Sequence, residues 1–166
     1  MDDIVLEAYE VGDLLGHGSF GEVYKVVDRE TSETRAIKFI QMTDLGTNQR
    51  EVIQREVKIL RDIECRYTGG HPNIVRLHGY LVSKDTDNMY LIMELIEGGD
   101  LGDFLKQHGP LPVTVAQRFV KNIANALQFL RTVDIIHRDL KPDNLLVTSM
   151  DLNTAVIKVA DFGLGA

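Results

Sequence analysis

His137 to Asn144 reads HRDLKPDN, directly after the apolar run VDII. Eight residues that crowd charged and metal-ligating side chains around one proline serve chemistry better than packing. Asp139 can accept a proton from an incoming hydroxyl. Lys141 can neutralise charge developing on a transferred group, and the amide oxygen of Asn144 can bind a hard cation.

Downstream, the strand-like runs NLLV and AVIKVA flank the turn TSMDLNT, and the second leads into DFG at Asp161 to Gly163. Behind HRDLKPDN, Asp161 becomes a candidate Mg²⁺ ligand, because that ion takes oxygen donors and is held by one or two carboxylates together with substrate phosphates. Upstream, Thr114 to Arg131 carries Ala116, Phe119, Val120, Ile123, Ala124, Leu127 and Leu130 at helical spacing, with Thr114 and Gln117 as a cap. EGGDLGDFLKQ, before the loop HGPLP, also turns helical.

The first half reads as strands. A run from Tyr9 ends at Gly16, GEVYKVV follows, and RAIKFI comes after the turn DRETSET, which makes an antiparallel meander. Period-2 alternation puts Ala36, Lys38 and Ile40 on one face. NQREVIQREVKILRDI, Asn48 to Ile63, is predicted helical, with an Asn48–Glu51 capping box and Val52, Ile53, Ile59, Leu60 and Ile63 in a stripe. Glu56 stands on that apolar stripe, where a carboxylate needs a cation. HPNIVRLHGYLV and NMYLIMELI read as two more strands across SKDTDN.

Composition narrows the function classes. The chain has 166 residues, 44% of them hydrophobic, enough for a sizeable core. A formal charge of -7 gives no field for a phosphate backbone, so no nucleic-acid partner is expected. No apolar run is long enough to span a bilayer, so no membrane insertion is expected. One cysteine, Cys65, allows no internal disulfide, and with no secretory signal at the N-terminus a reducing, cytoplasmic location is the expectation. The oligomeric state stays open.

GHGSFGEV, Gly16 to Val23, contains a GxGxxG pattern, which lets backbone approach a polyphosphate closely. A dinucleotide fold would need a helix right after the glycines and an acidic residue about 20 positions on. Here a β-branched strand follows, and the acidic position falls in KFIQM. Lys38 can be read as a strand lysine snorkelling to water, or as the cation that satisfies Glu56 while aiming its ammonium at phosphates beneath the glycines.

These elements, in this order, closely resemble the eukaryotic protein kinase family, serine/threonine type, over essentially the whole chain from Tyr9. The resemblance implies an α+β, protein-kinase-like fold: an antiparallel sheet lobe with one regulatory helix (9–93), a hinge (94–97) and a mainly helical, partial second lobe (98–166). It implies ATP and Mg²⁺ as cofactors and a protein as substrate. Catalytic roles fall to Asp139, Lys141, Lys38 and Glu56. Nucleotide contacts fall to Leu15, Gly16, His17, Gly18, Ser19, Phe20, Gly21, Val23, Ala36, Lys38 and Leu146. Met93 takes the gatekeeper place, Glu94 and Ile96 bond the adenine edge through their main chain, and Asp100 contacts the ribose. Asn144 and Asp161 hold the metal ions. Leu60, Leu77, His137 and Phe162 match the apolar column that links the lobes, although each also reads as plain core.

Lys141 with Pro142 resembles the Ser/Thr branch, and Arg138 beside the base implies a phosphorylated activation loop in the parent. By the same resemblance the chain ends where the activation segment starts, so an incomplete catalytic domain, nearly inactive alone, is the expectation. The alternative function is a catalytically silent, nucleotide-binding module.

Overall fold

The computed structural model describes every residue except Ser19, Asp44, Tyr67, Thr68, Lys84 and 163–166. A short helix α1 (Asp3–Ala8) precedes strands β1 (Tyr9–Gly18), β2 (Gly21–Asp28) and β3 (Thr34–Gln41). Helix α2 (Thr47–Arg66) leads to strands β4 (Leu77–Val82) and β5 (Asn88–Glu94). Helices α3 (Leu101–His108) and α4 (Val113–Thr132) follow, and then a 3₁₀ turn (Pro142–Asn144) feeds strands β6 (Leu145–Val147) and β7 (Ile157–Val159).

The first five strands form one antiparallel sheet in the order β1-β2-β3-β5-β4, and β6 and β7 make a separate ribbon. Cross-strand partners share a face. The pairs Val23↔Lys38, Ala36↔Met93 and Lys38↔Leu91 set the inner face, toward α2. The outer face carries Val26, Ile37, Tyr90 and Ile92, all buried, because Val5 of α1 lies on it with no exposure. Residues 1–8 gave no periodic signal long enough to predict α1. Its first turn is tied down by Asp2, whose carboxylate accepts from Thr86 Oγ1 (2.6 Å) and Tyr90 Oη (2.9 Å).

Several boundaries move. The predicted strand HPNIVRLHGYLV is paired in the sheet only from Leu77 onward. Its first half runs instead along β7, where the Val75 N–H donates to Val159 O (2.9 Å) and the Val159 N–H to Asn73 O (2.8 Å). The Asn48–Glu51 capping box does not form. Helix α2 starts at Thr47, so Gly46 caps it, and Gln49 Oε1 reaches back to the Gly46 N–H at 3.1 Å. The Thr114–Gln117 cap does not form either: α4 starts at Val113 after Pro112, with no side-chain cap.

The seven-residue apolar stripe on α4 is wider than its buried face. Val115, Phe119, Ala126 and Leu130 are buried against α3 and the β6–β7 ribbon, while Val120 is 66% exposed and Leu127 is exposed too. Asn122 belongs to the buried face, since its Oδ1 accepts the Ile157 N–H at 3.1 Å. Most of the expected α2 stripe faces the core: Ile53, Glu56, Ile59, Leu60 and Ile63 are buried and Val52 is partly buried, while Val57, outside that stripe, is buried as well. Among the described residues, no helix is long and apolar enough to cross a membrane.

Candidate active site

Lys38 sits mid-strand on the inner face of β3, and Glu56 sits on the buried stripe of α2. Lys38 Nζ lies 3.1 Å from both Glu56 oxygens, with side-chain exposures of 5% and 3%. Burial pushes the Glu56 carboxyl above its ordinary range; Lys38 opposes that shift, and the nearby negative charge of Asp161 adds to it. The Phe162 N–H also donates to Glu56, so the DFG segment reaches the far side of the same carboxylate. Sequence alone left Lys38 between a solvent-directed lysine and a paired cation; its burial decides for the pair.

The loop from His137 to Asn144 is fixed by hydrogen bonds that turn its functional groups one way. His137 is buried, its Nδ1 accepts the Asp139 N–H (3.3 Å) and its Nε2 bonds Ala160 O (2.9 Å), which assigns the proton to Nε2. Lys141 Nζ contacts Asp139 Oδ2 at 2.9 Å. Asn144 donates its amide N–H₂ to Asp139 O (2.8 Å) and Oδ2 (3.0 Å). The hydrogen bond from Lys141 is the chief reason the Asp139 carboxyl lies below its ordinary value.

Loop and DFG strand are laced together. The Ala160 N–H donates to Asn144 O (2.9 Å), Leu145 pairs with Val159, and the His137 and Phe162 rings lie 4.9 Å apart. Leu60, Leu77, His137 and Phe162 are all buried, and Leu60, Leu77 and Phe162 share one core cluster. Arg138 (φ 65°) and Asp161 (φ 57°) both adopt the left-handed region, as Ser32, Asp87 and Asp134 do elsewhere in the chain.

The glycine segment is the hairpin end of β1 and β2, with Gly18 opposite Gly21. A Cβ on Gly18 would stand 3.1 Å from Lys38 Cε, so this backbone covers the lysine stem. A Cβ on Gly21 would fall 1.8 Å from Phe39 O, so only glycine lets β2 start against β3. Phe20 is partly buried against the main core. Leu15 and His17 are exposed on β1, beside Gly16. Ser19 and Gly163, both singled out in the sequence, lie outside the described residues.

Ala36 (buried), Val23 and Met93 (partly buried) lie on the inner face. Leu146 bridges to Asp100, below the hinge. Asp100 has a structural duty as well: its Oδ1 caps α3 by accepting the Asp103 N–H at 2.9 Å. Between β5 and α3, Ile96 is partly buried.

The hinge brace was not foreseen. Glu94 Oε1 accepts both the Arg76 N–H and Lys158 Nζ at 2.7 Å, and the Glu94 N–H donates to Arg76 O at 3.0 Å. The one available signal was Lys158, a cation between the apolar residues of a short strand, which a period-2 reading turns away from the core.

The donor set suits a Mg²⁺–nucleotide pair. Asn144 spends its N–H₂ on Asp139, which leaves its amide oxygen as the acceptor a hard cation needs. Among the described residues no group of three or more His, Cys, Asp or Glu side chains gathers to hold a metal unaided.

A sequence profile of the protein kinase domain matches residues 9–166. The chain is 35% identical over 154 residues to serine/threonine-protein kinase RAD53 of Saccharomyces cerevisiae, covering 93% of this chain and 17% of that protein. It is 40% identical over 159 residues to serine/threonine-protein kinase ATG1c of Arabidopsis thaliana, covering 96% and 20%. Serine/threonine-protein kinase 33 of Mus musculus is 36% identical over 166 residues, covering 95% and 32%. The chain thus spans a third or less of the length of these relatives. A profile match along nearly the whole chain, over a sheet and a helix that bring Lys38 to Glu56, means that this chain belongs to the protein kinase domain family.

Proposed function

We propose that this chain carries the phosphotransfer chemistry of a protein serine/threonine kinase, moving the γ-phosphoryl group of ATP to a serine or threonine hydroxyl of a protein. The observation that carries this reading is the buried Lys38–Glu56 pair, with the Asp139–Lys141–Asn144 cluster and Asp161 on the laced loop beside it. In this reading Glu56 holds the Lys38 ammonium where it meets the α/β-phosphates, under the backbone of Gly16, Gly18 and Gly21. Asp139, kept ionised by Lys141 and Asn144, orients the incoming hydroxyl and takes its proton. Lys141 offsets charge on the transferring group.

Asn144 and Asp161 would hold Mg²⁺, which supplies charge neutralisation on the phosphates. The purine lies between Val23 and Ala36 above and Leu146 below, beside Met93, with the main chain of Glu94 and Ile96 at its edge. Leu15, His17, Ser19 and Phe20 flank the phosphates, and Asp100 flanks the ribose. Serine/threonine preference is supported by the Lys141–Pro142 pair and by the names of the relatives. An ATP-rich cytoplasmic location fits a free Cys65.

Two assays test the reading: Mg·ATP binding by calorimetry, and transfer of labelled phosphate to a serine-containing peptide. Asp139→Asn keeps the shape and removes the base, so ATP binding persists while transfer falls by about 10²- to 10⁴-fold. Full transfer activity in Asp139→Asn defeats the reading. Tight Mg·ATP binding with no transfer, by this chain and by a whole protein that carries it alike, selects the silent nucleotide-binding module instead.

A further inference from the structure

A polar cavity of about 300 Å³ lies where the start of β3, the end of β5, β7 and the segment before β4 meet. Its functional lining is Arg35, His71, Arg76, His78, Glu94 and Lys158. Only Glu94, at the hinge, also figures in the proposed nucleotide site. Three permanent cations thus converge from three separate elements on a space with one lining carboxylate.

Two further carboxylates stand behind these cations. Glu64 Oε1 takes Nε and Nη2 of Arg76 (3.0 and 2.7 Å), and Glu33 takes one Nη of Arg35. Each guanidinium has five N–H donors, so both forks keep arms beyond those contacts. Glu33 is 57% exposed, and a pair so open to water binds its arginine weakly. The three carboxylates equal the three permanent cations in formal charge, so what the cavity offers an anion is the unspent guanidinium N–H donors of Arg35 and Arg76. Desolvation lowers the His78 imidazole most, and the cations Arg35 and Arg76 weigh on it more than Glu94 and Glu64 do. Desolvation also lowers His71, and Lys158 adds to that.

Guanidinium forks from two directions and an ammonium from a third match a tetrahedral anion of charge near -2 better than a planar carboxylate. We propose that this cavity is a phosphate-binding site, taking a dianionic phosphoryl group either free in solution or carried on a phosphorylated side chain. The site stands apart from the glycine loop and draws on Lys158, the same ammonium that Glu94 holds at 2.7 Å.

The test is NMR of the His71 and His78 imidazoles in the full chain, titrated with inorganic phosphate, with a phosphoserine peptide and its unphosphorylated form, and with chloride at matched ionic strength. Both readouts sit at the cavity, so phosphate held elsewhere does not register. The expected result is a saturable shift of both rings with phosphate, accompanied by upward movement of the His78 titration as the charge of Arg35 and Arg76 is neutralised. Arg35→Gln and Lys158→Gln should each weaken binding about tenfold. If either variant fails to fold, the other and the chloride comparison still decide. Tighter binding of the phosphopeptide identifies a phosphorylated side chain as the source, and equal or weaker binding identifies free phosphate. No saturable shift, an equal response to chloride, or unchanged affinity in a folded variant overturns the proposal.

Discussion

Lys38 and Glu56 show how a residue type acquires meaning from its surroundings. Paired, each satisfies the other's charge in a space that excludes water; alone, each is a buried ion. Lys38→Met should therefore cost about 3–5 kcal/mol of stability at neutral pH, measured by urea unfolding. The Glu56 carboxyl is raised in the folded protein above its value of 4.5 in the open chain. The folded state thus binds its proton more readily, and stability contributed through this group falls as pH rises from about 4.5 through the raised value. In Lys38→Met the deficit should shrink on acidification toward that range, and a deficit independent of pH would disprove the unpaired-ion account. Asp139 has the opposite sign. Its carboxyl is lowered below 3.8, so it stays ionised through the working range. Any loss of phosphotransfer between pH 5 and 7 should then trace to another group, because the acid limb set by Asp139 lies below about pH 4. A pH–rate profile of kcat/KM with its acid limb near 6 that moves on Lys141→Met would contradict this. The density of HRDLKPDN made Asp139, Lys141 and Asn144 legible without coordinates. The proton position on His137 was not, since it depends on Ala160, which is remote in sequence.

Among the elements, the β1–β2 hairpin and the β6–β7 ribbon carry the site, and the glycines tell their demands apart. Gly21→Ala would press a methyl group into the Phe39 carbonyl, whereas a Cβ on Gly16 meets nothing within 4 Å. Gly21→Ala should cost about 1–3 kcal/mol and weaken nucleotide binding, while Gly16→Ala should leave stability within about 0.5 kcal/mol. Thermal unfolding with and without Mg·ATP compares them, and equal effects would mean that strand contact does not set the glycine requirement. The same GxGxxG letters thus stand in different surroundings: Gly21 is held against a facing strand, and a Cβ on Gly16 would meet open space. Helix caps were the least legible feature. Both predicted boxes were displaced because the helices start one residue before the expected cap, at Thr47 and Val113, and local letters alone do not fix which residue a chain turn leaves at the cap.

For the molecule as a whole, α1 and the hinge brace tie distant segments together. Val5 has no exposure and fills the outer sheet face beside Val26, Ile37 and Tyr90. Val5→Ala should cost about 2 kcal/mol, lowering Tm by about 4–8 °C. An unchanged Tm would show that α1 does not hold the sheet. From Tyr9 onward, the order of strands and helices, the family resemblance and the candidate polar residues of the site were legible along the chain, because apolar periodicity and dense polar motifs are properties of sequence neighbours. Packing in three dimensions settled that α1 covers the sheet, that three of the seven α4 stripe residues are wet, that Lys38 is buried, and that Lys158 and Arg76 grip Glu94. Each of these depends on which surface meets which across long sequence separations, where burial and charge pairing are settled by packing that no local window contains.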